Sequence, residues 1–518
     1  MSSGAMAGAY CLVEQLPVGN ASALDDGRRA LSYGALLQRV NHLAEVLVAQ
    51  LAGLTPAPLA LAADNGVDWI VADLAAQLAG IPLLPLPRFF SDAQQQHALD
   101  QSGVTLLLTD GSDARIAPGA KVIAELPDSD LSLVRRLGAE GRQTPNPLPR
   151  GTGKITYTSG STGAPKGVCL GNPQLLRQAE ALVSAAALDR PRHLCLLPLA
   201  VLLENIAGVH ACLIAGGEVL APTLANLGLS GSSSLDPARL TRAIDHYRPN
   251  SLILIPQMLS ALVQAAEEGW QPPRSLTFVA VGGSRVAAGQ ILRARALGLP
   301  VYEGYGLSEC ASVVSLNTPG ADRPGSAGKP LAHLSISFDG DEIIVAGNPF
   351  LGYVGDPASW GQHSIRSGDL GHLDGDGFLH LDGRRKNLLI SSFGRNISPE
   401  WVESEILASP LIRDCVVAGD ARPWLGALIC PRPGASDDAV ASWLAQCNRR
   451  LPDYARVHGW TRLAAPFATV PGLATATGKP RRSAILAHFH RELEQLFAPR
   501  DGAELHPRHP TTMPEINP

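Results

Sequence analysis

The sequence predicts an α/β protein: a large N-terminal domain of parallel-rich sheets with helices plus a small β-barrel-like part, followed by a small α+β C-terminal domain. Three observations carry this. Short apolar runs alternate with helical patterns, twice over, as far as Ser284. After Ser335 the texture changes to short, polar-punctuated strands. Beyond Asp382 a strand, loop, helix and strand pattern begins afresh, as a second folding unit would.

The elements follow in chain order. In LSYGALLQRVNHLAEVL, Leu36, Val40, Leu43 and Leu47 fall on one helical face. PLALAADN, IPLLPLP and VTLLLTD are buried strands, separated by helices around DWIVADLAAQLAG and DAQQQHALDQSG. The second series runs HLCLLPL, a helix near ENIAGVHACLIAG, GEVLAP, the helix DPARLTRAIDHYRP, SLILIP, a helix through QMLSALVQAAEEG, and LTFVAVGGS. SISFDGDEIIVAG and GFLHLDGR form the small antiparallel part. In the C-terminal unit, RRKNLLISSFGRNISPEWVESEILASPLIRDCVVAGD supplies strand, loop, helix and strand, WLGALICPRP another strand, and DDAVASWLAQCNRRL a helix. The boundaries expected are 1–383, 384–497 and a proline-rich tail, 498–518, expected to be disordered.

Composition excludes several classes of function. The chain has 518 residues, 45% apolar and 17% charged, with a formal net charge of −5, and no basic run that would track a nucleic acid. The longest apolar stretches, Trp69 to Leu86 and Leu194 to Leu220, are broken by Asp73 and Gln77 and by Glu204, Asn205 and His210, so no membrane span is expected. The opening MSSGAMAGAYCLVEQ lacks the pattern of a signal peptide, and the expected location is the cytoplasm. Eight cysteines lie far apart without CxxC pairs, which predicts buried, reduced thiols. Lysine occurs only at 121, 154, 166, 329, 386 and 479, against 36 arginines. A lysine kept in such a chain marks places where a compact ammonium works and a planar guanidinium does not. Lys166, Lys386 and Lys479 each sit in a glycine-containing motif.

YTSGSTGAPKG, from Tyr157 to Gly167, crowds five hydroxyls, three glycines and one lysine into eleven residues. A loop of this kind turns N–H groups and hydroxyls towards one point, and phosphate is the usual occupant. It is not a Walker loop, which needs GK followed by Ser or Thr. The segment resembles the phosphate loop of the adenylate-forming superfamily, which includes acyl-CoA synthetases, luciferases and peptide-synthetase adenylation domains. YEGYGLSE (302–309), SGDLGHLDGDGFLHLDGRRKNLLI (367–390) and TATGKPRR (475–482) are similar to that family's later signatures, in the same order, and the likeness covers roughly residues 20 to 490.

The resemblance implies a chemistry and a set of residues. Members activate a carboxylate with ATP and Mg2+, forming an acyl-adenylate and pyrophosphate, and commonly pass the acyl group to coenzyme A. Thr158, Ser159, Gly160, Ser161, Thr162, Gly163 and Lys166 would embrace the β and γ phosphates. Glu309 matches the residue that holds magnesium, and Ser308 stands where threonine is more usual. Tyr305 would pack on adenine with Gly282, Gly283 and Ser284 on the other face, while Asp369 and Arg384 would hold the ribose hydroxyls. Lys479 matches the lysine that bridges carboxylate and α-phosphate. Lys386 matches the hinge about which a mobile small domain swings, bringing the loop at Gly394 towards the adenylate for thiol entry.

LPLAVLLEN (197–205) and FGRNISPEWVE (393–403) resemble the fatty acyl-CoA synthetase branch, with Val201 where that branch carries histidine. A pocket of Val201, Leu202, Ile206 and Leu307 would favour a medium- or long-chain aliphatic acid. The alternative readings are a stand-alone ligase that loads the phosphopantetheine of an acyl carrier protein, and a non-catalytic nucleotide-binding homologue.

Overall fold

The computed structural model describes residues 11–54, 57–111, 120–126, 128–136, 146–158, 165–187, 189–230, 234–392, 395–475, 478–498 and 507–508. Two large sheets carry the first part of the chain. In one, parallel strands run in the order Val301–Leu307, Phe278–Val281, Ser251–Leu254, Arg192–Leu194, Glu218–Leu220 and Ser22–Asp25, with antiparallel strands at both ends. In the other, Leu59–Ala62 lies between Leu83–Pro85 and Leu106–Thr109, all parallel, and Thr152–Thr158 joins beside Leu83–Pro85. These strands are near-continuous apolar runs because helices cover both of their faces.

Helices Tyr33–Leu51 and Val67–Leu78 join the two sheets, sharing one core with Leu24 and Val219 of the first and Leu59, Leu61 and Leu106 of the second. Val67 to Gln77 is buried without a break, so this helix has no solvent face and its Asp73 and Gln77 are enclosed as well. The first helix starts where Ser32 accepts the Ala35 N–H, satisfying a donor that the helix itself leaves unpaired.

The small antiparallel part is a four-stranded sheet, ordered Ser335–Asp339, Glu342–Ala346, Ser364–Leu373 and Leu379–Arg384. Further on, Ile412–Ala418, Leu425–Pro431 and Val457–Arg462 form a sheet covered on one face by helices Pro399–Leu407 and Asp437–Arg450, and on the other by Arg482–His488 and His490–Phe497. Within the stretch expected to be an unstructured tail, Pro507 and Arg508 pair in parallel with Trp460 and Thr461. All eight cysteines are buried free thiols. Among the described residues no helix is long and apolar enough to cross a membrane.

Candidate active site

Strand Thr152–Thr158 turns back antiparallel as Lys166–Gly171, and the last paired residues are Thr158 and Lys166. The glycine- and hydroxyl-rich loop is therefore the connection of a hairpin. Its Ser159, Gly160, Ser161, Thr162 and Gly163 lie outside the described residues, as does Gly394. The Lys166 ammonium lies 4.9 Å from the centre of the Tyr353 ring, and the Tyr353 hydroxyl donates to Glu309 Oε1 at 2.8 Å. One aromatic side chain thus links the end of the phosphate loop to the expected metal-binding carboxylate.

Glu309 reaches this place from a short turn, Ser308–Cys310, at the end of strand Val301–Leu307. Ala311 and Ser312 then adopt φ of +60° and +105° to bring the chain back antiparallel. The return is so close that a Cβ on Gly306 would lie 1.8 Å from the Ser312 carbonyl oxygen, so only glycine fits there. A carboxylate linked through Tyr353 to Lys166 offers the hard oxygen donor that magnesium prefers. Glu309 would hold the ion, which supplies charge neutralisation to the phosphates when bound.

The nucleotide-binding residues expected from the sequence come together, with a connection that the sequence did not disclose. Tyr305 donates its hydroxyl to Asp369 Oδ2 at 2.7 Å, while Arg384 Nε approaches Asp369 Oδ1 at 2.7 Å. Asp369 and Arg384 are direct partners across neighbouring strands, so their pairing follows from sheet register. Asp369 is buried, and a ribose diol would exchange for bonds already present on its two oxygens. Gly282, Gly283 and Ser284 follow strand Phe278–Val281 and line the same cavity as Tyr305.

Lys479 arrives from the far end of the chain. Its loop is a tight turn in which Gly478 takes φ +76°, Thr475 N–H donates to the Lys479 carbonyl at 2.7 Å and Lys479 N–H to Thr475 Oγ1 at 3.0 Å. The ammonium donates to the Gly283 carbonyl at 2.6 Å. Burial lowers its pKa and the Arg384 charge lowers it further, with Asp369 opposing. Lys386, exposed between strands Leu379–Arg384 and Leu389–Ile390, has its pKa lowered in the same way, by desolvation and then by Arg384.

Beside Lys479 and Gly283 opens a cavity of about 830 Å³. Val201, Leu202 and Leu307, three of the residues expected in an acyl pocket, line it, and so does Ser308. Ile206 does not: it is fully buried in the core with Leu175 and Ala179. The reason is that Glu204–His210 is a π-helical turn, whose wider winding presents Leu203, Ala207 and Gly208 to the cavity instead.

Sequence reasoning missed two polar groups around this turn. In the first, Lys154 Nζ lies 2.7 Å from Asp73 Oδ1 and also donates to Asn205, while His210 Nε2 meets Asp73 Oδ2 at 2.9 Å. Burial alone would push the Asp73 carboxyl up, but Lys154 and His210 overcome it and hold it well below the usual carboxylate range. In the second, His193 is bonded to Glu204 and Ser251, with His193 and Ser251 on the cavity wall. The available signal was the set of residues that interrupt the two longest apolar stretches, because Asp73, Gln77, Glu204, Asn205 and His210 are all buried.

The Lys479 ammonium and the Asp369–Arg384 pair beside a mostly apolar cavity form an arrangement that an AMP-forming ligase of carboxylic acids can use. The AMP-binding enzyme family matches residues 13–345 and the AMP-binding enzyme C-terminal domain matches 386–501, and the chain belongs to this family. It is 30% identical over 469 residues to a feruloyl-CoA synthase from Amycolatopsis sp, covering 84% of this chain and 90% of that one. It is 30% identical over 465 residues to a 2-succinylbenzoate–CoA ligase from Geobacillus kaustophilus, covering 83% and 89%. An anthranilate CoA ligase, AuaEII, solved with anthranoyl-AMP shares the fold with a TM-score of 0.75 at 18% identity, over 92% of this chain and 97% of that one.

Proposed function

We propose that the protein uses ATP and Mg2+ to convert a carboxylic acid into its acyl-adenylate, releasing pyrophosphate, and then transfers the acyl group to the thiol of coenzyme A. The observation that carries this reading is the Lys479 ammonium, delivered to the Gly283 carbonyl beside the Asp369–Arg384 pair and at the edge of the apolar cavity. Bringing a carboxylate up to a phosphate gathers negative charge, and a preorganised ammonium with a hard cation is what lowers that barrier. Lys479 would hold carboxylate and α-phosphate together, Glu309 would hold the ion, and Thr158 and Lys166 would receive the outer phosphates. Tyr305 would support adenine, with Gly282 to Ser284 opposite, and Ser308 would offer a hydroxyl to the α-phosphate.

The acid is a medium- or long-chain molecule with an extended apolar body, in keeping with walls of Val201, Leu202 and Leu307. After adenylation the unit 384–497 turns about Lys386 relative to 1–383, withdrawing Lys479 and admitting the thiol near Gly394. Pyrophosphate release, measured across aliphatic, aryl and amino acids with and without coenzyme A, tests the reading. Release stimulated by one acid class supports it, and thioester formed only on an acyl carrier protein would change the acceptor. ATP binding without release for any acid would leave a non-catalytic nucleotide binder.

A further inference from the structure

The cavity does not stay apolar. His193, Ser251 and Phe278 form one row across neighbouring parallel strands, in register, and all three line it. Gly283, which receives Lys479, lies five residues beyond Phe278, up to roughly 16 Å further along at about 3.3 Å per residue. His193 and Ser251 therefore stand on a part of the cavity wall away from the place where Lys479 meets Gly283.

Its bonding pattern leaves one acceptor over. His193 Nε2 lies 2.7 Å from Glu204 Oε1, and the other Glu204 oxygen accepts the Leu197 N–H at 2.9 Å. A carboxylate takes a proton donor, so Nε2 carries hydrogen, and in the neutral ring Nδ1 is then the acceptor of the Ser251 hydroxyl proton at 2.8 Å. Ser251 Oγ has then given its hydrogen away and keeps its own lone pairs, on the cavity wall. Gly208 makes room for this group: a Cβ there would stand 2.3 Å from Glu204 Oε1 and 2.6 Å from His193 Nε2. His193 is 3% exposed and Ser251 5%, so water does not readily compensate them once the cavity is filled. A purely hydrocarbon end would strip Ser251 Oγ of a partner without replacing it, whereas a hydroxyl would restore the bond.

We infer that the acid carries a hydroxyl at the end remote from its carboxylate, received by Ser251 Oγ, with His193 and Glu204 as positioning residues. This rests on the acid-activating reading above. The hydroxyl could belong to an alkyl chain or to an aromatic ring, and the test separates these sources. Pyrophosphate release by the full chain is measured with ω-hydroxydecanoate against decanoate, and with para-hydroxycinnamate against cinnamate. At least one hydroxylated acid should exceed its plain partner about tenfold or more in kcat/KM. Ser251→Ala should bring that ratio close to one. His193→Gln should lower it chiefly through KM for the hydroxylated acid, with its kcat retained, which a merely structural role would not do. A wild-type preference for the plain acid in both pairs, or a ratio unchanged in Ser251→Ala, overturns the inference while adenylation stands. Absence of release with every acid overturns both. Should Ser251→Ala not fold, the two wild-type ratios decide alone.

Discussion

Glu303 sits on the same strand as Tyr305, buried, with Oε1 accepting the Val286 N–H at 3.2 Å. Burial pushes its carboxyl up to about 7, against the pull of that N–H and of Arg285. The folded chain therefore holds a proton there that the unfolded chain, with an ordinary value of 4.5, releases earlier. The associated stability is fully present below 4.5 and is lost as pH rises through 7, by about 3 kcal/mol in all. Glu303→Gln should flatten this interval, so that the variant gains on the parent in thermal melts towards alkaline pH; parallel melting curves across pH would refute it. Lys479→Ala should cut pyrophosphate release roughly a hundred- to a thousand-fold and leave the melting temperature unchanged, since Lys479 belongs to no apolar core. Release at the parental rate would remove Lys479 from the chemistry. Of the candidate site, Lys166 and Lys479 were legible at this scale, because rare lysines in glycine-containing motifs stand out in an arginine-rich chain. Tyr353 was not, since nothing local to PFLGYVG says that its hydroxyl will meet Glu309 across the fold.

Elements depend on one another through the buried Lys154 group. Lys154 lies on the strand that leads into the phosphate loop, Asp73 on the helix enclosed between the sheets, and Asn205 and His210 on the π-helical cavity wall. Lys154 is 1% exposed and Asp73 0%, so losing one charge would strand the other. Lys154→Met should cost about 3 to 5 kcal/mol in denaturant unfolding, and adding Asp73→Leu should recover much of it. A loss below about 1 kcal/mol would mean the pair is not holding these elements. Strands and helices were readable from periodicity, down to the helix Val67–Leu78 and the strand Phe278–Val281. The π-helical winding was not, because it comes from packing around Glu204 and His210 rather than from local propensity, and Ile206 was misplaced for that reason. The polar interruptions argued correctly against a membrane span, but Asp73 meets Lys154 81 residues away and Asn205 meets Lys154 51 residues away, and no local pattern reveals such pairings.

For the molecule as a whole, the chain near Lys386 is held on both sides. Arg385 meets Glu342 of the small sheet at 3.0 Å, and Asn387 donates to Glu400 of the following helix at 2.5 Å, with Lys386 exposed between them. Rotation confined to this point would move one anchored body against the other. Lys386→Pro should therefore slow thioester formation several-fold more than adenylation, in single-turnover assays of each half-reaction. An equal loss in both would count against such a pivot. The two-unit plan was visible in the strand, loop, helix and strand pattern that begins afresh beyond Asp382, whereas the pairing of Pro507 and Arg508 with the C-terminal sheet lay hidden in a proline-rich segment.

Arg413, Asp414, Arg432 and Thr469 come from the C-terminal unit, yet they line the cavity together with Lys479 and Gly283. Part of the wall that judges the acid thus belongs to the piece that would carry Lys479 away. On the proposed turn about Lys386, an acid that passed adenylation would meet a different enclosure at thiol transfer, so its selection would have to be complete before pyrophosphate leaves.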